Sequence, residues 1–272
     1  MEHAGYVLLG LVAGVYGTMI GVGGGFLAVP ALLLIFHLDV KSAVAASLFM
    51  VCCNALSGSI SYGLQGRVDY KSGLRFAPAI IAGSALGVVC VQYIPFKLFA
   101  AVFGVLMVAL SFLLVRSGDG VDPHSRRRRR DGRTLERVIV DARGKEFRYR
   151  VNLKLGIGIS AAAGFVSSLL GIGGGVIHVP AMILWMGFPH HVAVATSQFV
   201  IAISAVAGWV TSAAKGVMPW ETAFLLAAGA VVGAQAGARI AHAVTGRWLA
   251  RLLSLALVLV GARMLLMSLL GW

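Results

Sequence analysis

Charge is scarce in this sequence. Only 12% of its 272 residues are Asp, Glu, Lys or Arg, about half of what a soluble globular domain carries. A core of this size in water needs a charged shell, and the shortage excludes one. With 59% hydrophobic residues gathered in long runs and a mean hydropathy of +0.90, most of the surface must face lipid. Acidic residues are the rarest of all. Outside the stretch from Arg116 to Arg150 there are only Glu2, Asp39, Asp69 and Glu221, at segment ends. That placement excludes a pump-like carboxylate relay at mid-membrane. Cysteine is nearly missing too. Cys52, Cys53 and Cys90 all lie inside apolar runs, which fits neither a disulfide framework nor a metal cluster and reads as small packing residues. The start, Met1-Glu2-His3, lacks the Lys or Arg of a secretory signal, and no small-residue cleavage site is evident. The first apolar run is therefore read as mature structure.

The charge that is present is concentrated. Net +13 would suggest a nucleic-acid partner, but residues 116–150 hold 12 of the 23 basic and 6 of the 10 acidic residues, leaving 11 and 4 elsewhere. Basic loops mark the cytoplasmic side, so the excess reports topology and no nucleic-acid role is expected. The Arg126–Arg130 run reads as a solvated stretch. After it, Leu135 to Val151 has strand-like residues around a Gly-containing turn and predicts a small β-hairpin.

The chain is written twice. Gly21-Val22-Gly23-Gly24-Gly25, followed by Val29-Pro30, recurs as Gly171-Ile172-Gly173-Gly174-Gly175, followed by Val179-Pro180. The same 150-residue shift aligns Gly14 with Gly164, Ser47 with Ser197, Gly58 with Gly208, Gly83 with Gly233 and Gly87 with Gly237, without a gap. Each copy has five apolar segments, the first two short, which either span or re-enter. An odd count inverts the second copy, and the parity survives if the short pair re-enters. The fold expected is an all-α polytopic membrane protein of two inverted five-segment repeats with a cytoplasmic hairpin in the central loop. Residues 1–115 form the first repeat, 116–152 the basic cytoplasmic loop and 153–272 the second repeat. The Lys and Arg balance puts both termini outside.

Glycines so dense do not build a comfortable helix interior, each costing about 1 kcal/mol relative to Ala. Loosened backbone in lipid is tolerated only where protein or a water-filled cavity covers it. A helix broken there presents free N–H groups and a half-helix N-terminus, which together attract an anion. Gly21, Gly23, Gly24, Gly25, Gly171, Gly173, Gly174 and Gly175 are thus candidate binding positions. Gly83/Gly87 and Gly233/Gly237 read instead as close-packing positions between helices. Polar residues deep in the third segments join the candidates: Ser47 and Asn54 in one copy, Thr196, Ser197, Gln198 and Ser204 in the other. Gln235 reads as a helix-packing hydrogen bond. His178 follows the second motif where the first copy has Ala28, and is suited to hold part of an anion's charge or a proton.

The doubled Gly-x-Gly-Gly-Gly-x-x-x-Val-Pro, with Val44-Ala45-Ala46-Ser47 and Val194-Ala195-Thr196-Ser197 after it, resembles the TauE/SafE sulfite-exporter family. Gly66-Arg67-Val68-Asp69-Tyr70 and Gly216-Val217-Met218-Pro219-Trp220, each ahead of a Gly-x-x-x-Gly segment, fit the same pattern. The resemblance covers nearly the whole chain except the central loop. It implies an inner-membrane carrier of small anions, often sulfite, sulfoacetate or other organosulfonates. Thiosulfate-uptake relatives use cysteines on the pathway, an arrangement that Cys52 and Cys53 do not match. The reading is a secondary transporter working by alternating access, its partners a small anionic substrate and the bilayer, with a homodimer left open. No cofactor, metal or catalytic residue is expected. An anion channel or a carrier of small carboxylates is the alternative. An intramembrane enzyme is disfavoured, because no nucleophile–base, His-metal or paired-carboxylate set is visible at depth.

Overall fold

The structure, a computed structural model, describes residues 2–117, 134–240 and 246–270. Among these the order is α1 (Glu2–Ile20), α2 (Gly25–Leu34), α3 (Val40–Leu64), α4 (Tyr70–Val91), α5 (Phe96–Ser117), β1 (Thr134–Val140), β2 (Glu146–Asn152), α6 (Leu153–Leu170), α7 (Gly175–Leu184), α8 (His190–Ala214), α9 (Trp220–Ile240) and α10 (Gly246–Leu270). The Arg126–Arg130 run lies outside the described residues.

Helices α1, α3, α4, α6, α8 and α9 are long and apolar enough to cross a bilayer. α2 and α7 have ten residues each, about 15 Å of helix and half a hydrocarbon thickness. Each turns back along the helix before it. Tyr6 stacks on Phe36 with ring centroids 4.3 Å apart, and Gly17 and Ala13 lie against Gly24. In the second copy Gly156 lies near Met186, and Ser167 near Gly174. Each pair is therefore a re-entrant hairpin with the glycine motif at its tip. The turn requires glycine: φ is +80, +88 and +85° at Gly21, Gly23 and Gly24, and +71, +87 and +84° at Gly171, Gly173 and Gly174. Side chains strain such left-handed backbone and glycine does not.

Two compact units cut across the two copies. One holds α1–α4, β1–β2 and α6–α9, the other α5 and α10. In the larger unit the copies exchange their first helices. Gly83 and Gly87 of α4 lie against the carbonyls of Ala161 and Phe165 in α6, while Gly233 and Gly237 of α9 lie against those of Leu11 and Val15 in α1. The contacts repeat with the 150-residue shift, and numbers rise together, so both pairs run parallel. The close-packing reading of these four glycines holds: each lets a neighbouring backbone into the space of a side chain. α3 and α8, which are equivalent helices, run antiparallel, with Leu48 beside Gly208 and Gly58 beside Gln198. Equivalent helices can oppose each other only about a two-fold axis across their length, which makes the repeat inverted. The smaller unit obeys the same rule. Lys97 meets Ser268, Gly104 meets Gly261 and Ser111 meets Ser254, again antiparallel. Gln235 donates to the Ser57 carbonyl at 3.1 Å and ties α9 to α3.

The hairpin pairs Thr134 with Asn152 through to Val140 with Glu146. Asp141 shapes its turn by accepting from the backbone of Arg143 and Lys145, each at 2.9 Å. Tyr149 and Val151 point inward and are buried, with Phe147 and Ile139 beside them against the same core. The outward row carries Glu136–Arg150 and Glu146–Arg148 pairs, exposed and worth little. The inward row sits over the α3–α4 loop, where Ala142 N donates to the Gln65 carbonyl at 3.0 Å. It also covers the α7–α8 turn, where Tyr149 meets Phe188 with centroids 5.1 Å apart.

Candidate functional site

The two glycine tips cross each other in the interior of the larger unit. Gly25 abuts the Gly171 carbonyl and Ile172, and Gly175 abuts the Gly21 carbonyl and Val22. Val51 of α3 packs on both Gly23 and Gly173. A methyl group at Gly24 would run into the Ala13 carbonyl, whereas at Gly174 it would lie 3.1 Å from Ser167 Oγ. Gly24, Gly25 and Gly175 thus meet protein backbone, while Gly23, Gly173 and Gly174 meet side chains. Beyond the crossing, α2 and α7 lead away with free first-turn donors. The N–H groups of Leu27 and Ala28 bond the Gly24 carbonyl, and those of Ile177 and His178 bond that of Gly174. Gly25, Phe26, Gly175 and Val176 head their helices without an intrahelical acceptor, at the positive end of each half-helix dipole.

Most of the polar positions expected at the site do converge on these tips, but on their carbonyls. Ser47 donates to the Gly171 carbonyl at 2.7 Å, and its equivalent Ser197 to that of Gly21 at 3.2 Å. Asn54 donates to the Gly23 carbonyl at 3.2 Å while accepting from Thr18 at 3.1 Å. Gln198 donates to the Gly17 carbonyl at 3.1 Å. Ser47, Ser197 and Asn54 thus close acceptors that a broken helix would otherwise leave bare in lipid, whereas the Gly17 carbonyl reached by Gln198 also takes the Val22 and Gly23 amides at 2.7 and 3.1 Å. Thr196 is not among them. Its Oγ1 accepts from Asp69 N at 2.9 Å, at the head of α4, because one residue along a helix turns the side chain by about 100°.

His178 also stands apart from the crossing. It is fully buried, edge-on to Phe76, with Nε2 3.0 Å from Ser160 Oγ. Ser160 spends its one proton on the Gly156 carbonyl at 2.7 Å. Nε2 must then carry the hydrogen, which leaves Nδ1 as an acceptor, and Nδ1 has no partner among the described residues. The first copy has Gly10 and Ala28 at these two positions, so the pair belongs to one half only.

Sequence reasoning missed two groups. Thr18, Tyr62, Ser84 and Ser168 are buried polar residues whose equivalents are Ser168, Ser212, Ala234 and Thr18. Their residue types differ between the copies, so the repeat does not mark them. The second group docks the hairpin. Asp69 is 4% exposed and accepts from Ser72 N at 3.0 Å, Ser72 Oγ at 2.6 Å and Tyr149 OH at 2.9 Å, with Arg137 Nε at 3.9 Å. Beside it Arg67 pairs with Asp141 at 3.6 Å. The turn amides of Lys145 and Arg143 and the Arg67 charge hold Asp141 below the usual carboxylate range. Burial first, then the Asp69 charge, pushes the Tyr149 phenol up. The opposite copy has Val217 and Pro219 in place of Arg67 and Asp69, so only one face is tied in this way. Among the described residues no three His, Cys, Asp or Glu side chains gather as metal ligands.

Comparison with known proteins agrees with this architecture. The family profile described as "Sulfite exporter TauE/SafE" matches residues 6–264. A Bacillus subtilis protein described as "Probable membrane transporter protein YunE" is 33% identical over 266 residues, covering 95% of this chain and 96% of its own. A probable membrane transporter protein of Methanocaldococcus jannaschii is 26% identical over 211 residues, 75% of this chain and 70% of its own. An Arabidopsis thaliana "Sulfite exporter TauE/SafE family protein 5" is 32% identical over 100 residues, 36% of this chain and 22% of its own. No solved structure matches significantly.

Proposed function

Because the chain belongs to the sulfite exporter TauE/SafE family, we propose that it is a secondary transporter of small sulfur oxyanions, sulfite or organosulfonates such as sulfoacetate, acting by alternating access across an inner membrane. One observation carries the reading: two re-entrant glycine tips cross at the two-fold of an inverted repeat. Discontinuous helices meeting at the repeat interface are where carriers of this architecture hold substrate. Half-helix N-termini supply attraction without a full countercharge, so the anion can leave as well as bind. The motif glycines, Ser47, Asn54, Ser197 and Gln198 shape this centre, with His178 at its flank on the hairpin side. The test is flux of labelled sulfite and sulfoacetate into liposomes holding purified protein. Saturation with counterflow supports a carrier, and linear flux without counterflow supports a channel instead.

The same reading orients the chain. The hairpin face gathers Arg67, Lys71, Arg75, Arg143, Lys145 and Lys154, whereas the opposite loops carry Lys41 and Lys215. Basic loops stay cytoplasmic, so the hairpin is inside and both termini outside. A Lys145→Cys thiol should label only from the cytoplasmic side and a His3→Cys thiol only from the other. Labelling of both from one side would sink this topology.

A further inference from the structure

The 150-residue correspondence surrounds each tip with the same positions, and their chemistry differs. At the first tip Asn54 donates to the Gly23 carbonyl, Tyr62 to that of Thr18 at 3.0 Å, and Gln198 to that of Gly17. The equivalents at the second tip are Ser204, Ser212 and Leu48. Ser212 bonds Gly208 within its own helix at 3.1 Å, and Leu48 has no polar atom. Ser204 is 1% exposed, and its hydroxyl has no hydrogen-bond partner among the described residues. Serine is shorter than asparagine, so at that position it stops short of the motif peptide that Asn54 reaches.

Two further hydroxyls gather at its peptide. Ser84 of α4, where the other copy has Ala234, donates to the Ser204 carbonyl at 2.7 Å and contacts Ser168 Oγ. With the Ser84 proton spent on that carbonyl, Ser168 must be the donor between the two hydroxyls. The Gly208 backbone lies alongside. A side chain there would sit 3.2 Å from Ser84 Oγ and 3.4 Å from Ser168 Oγ. Hydroxyls from α4 and α6 thus reach the Ser204 peptide of α8, about two-thirds of the way along α4 and three-fifths of the way along α8 from the hairpin face. A buried hydroxyl without an acceptor is a standing cost to the fold. An oxygen that accepts its proton relieves that cost.

We infer that Ser204, with Ser168 and Ser84, binds the oxygen atoms of the carried anion on the second copy's side. The scaffold is two-fold and the binding site is not. This inference rests on the carrier reading. Ser204 donates outright, and Ser168 can turn its proton from Ser84 to the ligand. The α7 N-terminus adds its dipole. Neutral donors of this kind suit a small oxyanion such as sulfite or a sulfonate group. The first tip, fully clamped, is then the fixed wall.

The experiment compares parent, S204A and S204N for binding of sodium sulfite and sulfoacetate, alongside thermal unfolding of each purified protein. S204A removes a hydroxyl that bonds nothing in the protein, so it should melt no lower than the parent. It should nevertheless bind about tenfold or more weakly, having lost a hydrogen bond to a charged acceptor. S204N rebuilds the first-copy clamp on the Gly173 carbonyl and should melt higher while binding neither anion. S204A binding with the parent's affinity overturns the inference and leaves the carrier reading standing. S204A melting lower than the parent also overturns it, because the hydroxyl then has a protein partner. A parent that binds neither anion overturns the carrier reading and the site together.

Discussion

Asp69→Ala is the most informative single change outside the crossing. The carboxylate is 4% exposed and receives three hydrogen bonds, from Ser72 N, Ser72 Oγ and Tyr149 OH, with Arg137 alongside. Losing the cap on α4 costs about 1 kcal/mol. Each hydroxyl bond to a charged acceptor is worth about 1.5–3 kcal/mol, and bonds sharing one carboxylate do not add in full. The net loss is about 3–5 kcal/mol, the range found when a buried charged group is stripped of its partner. Asp69→Asn keeps an acceptor for Ser72 N but gives up the charge, and should cost about 1–2 kcal/mol. The assay is thermal unfolding of both variants in detergent, with hydrogen exchange of residues 146–152 as a local readout. Exchange in β2 should accelerate in the order parent, Asn, Ala, because Tyr149 is the hairpin's anchor on the α3–α4 loop. A Tyr149→Phe control should resemble Asp69→Asn. If Asp69→Ala melts with the parent and its hairpin exchanges no faster, the network contributes nothing and the docking argument is wrong.

Gly83→Ala and Gly233→Ala push a methyl into the carbonyls of Ala161 and Leu11 and should each cost about 1–3 kcal/mol by overpacking. Gly158→Ala meets nothing within 4 Å and should stabilise α6 by about 0.5–1 kcal/mol; equal melting of all three would refute the close-packing account. His178→Gln keeps a donor for Ser160 and cannot take up a proton, so transport by this variant should lose its pH dependence while the protein stays folded. Parent-like transport at every pH would leave His178 a structural residue.

Much of this architecture is legible in the sequence. The duplication, the inversion and the hairpin were legible because each rests on a pattern of types: aligned glycines, an odd count, strand formers around a turn. Gly83, Gly87, Gly233 and Gly237 were legible as packing residues for the same reason. Correspondence tells which residues are equivalent, however, and not which ones touch. Nothing in the spacing says that Ser47 reaches Gly171 rather than Gly21, or that α1 packs on α9 rather than α4. Thr196, Ser197 and Gln198 look like one cluster in a row, yet the helix sends Thr196 to Asp69 and the other two to the first tip. Ser84 was obscured because Ala234 fills its place in the other copy, whereas Ser204 was legible as a polar residue deep in its segment but not as one that lacks an acceptor. Asp69 looked like a segment-end residue until Tyr149 and Arg137 arrived from 80 and 68 residues away.

The exchange of first helices has a consequence for the order in which the protein can be made. α1 leaves the ribosome long before the surface that its Gly10 and Gly14 fit, Leu226 and Ala230 of α9. α4 likewise waits for α6. The first half cannot complete its packing as it emerges, and its small-residue stripes stay open to lipid until most of the second half has been inserted. Folding must therefore be late and concerted. Co-expressed as two chains split within residues 118–133, the halves should reach the folded state only together, since each holds the other's missing helix.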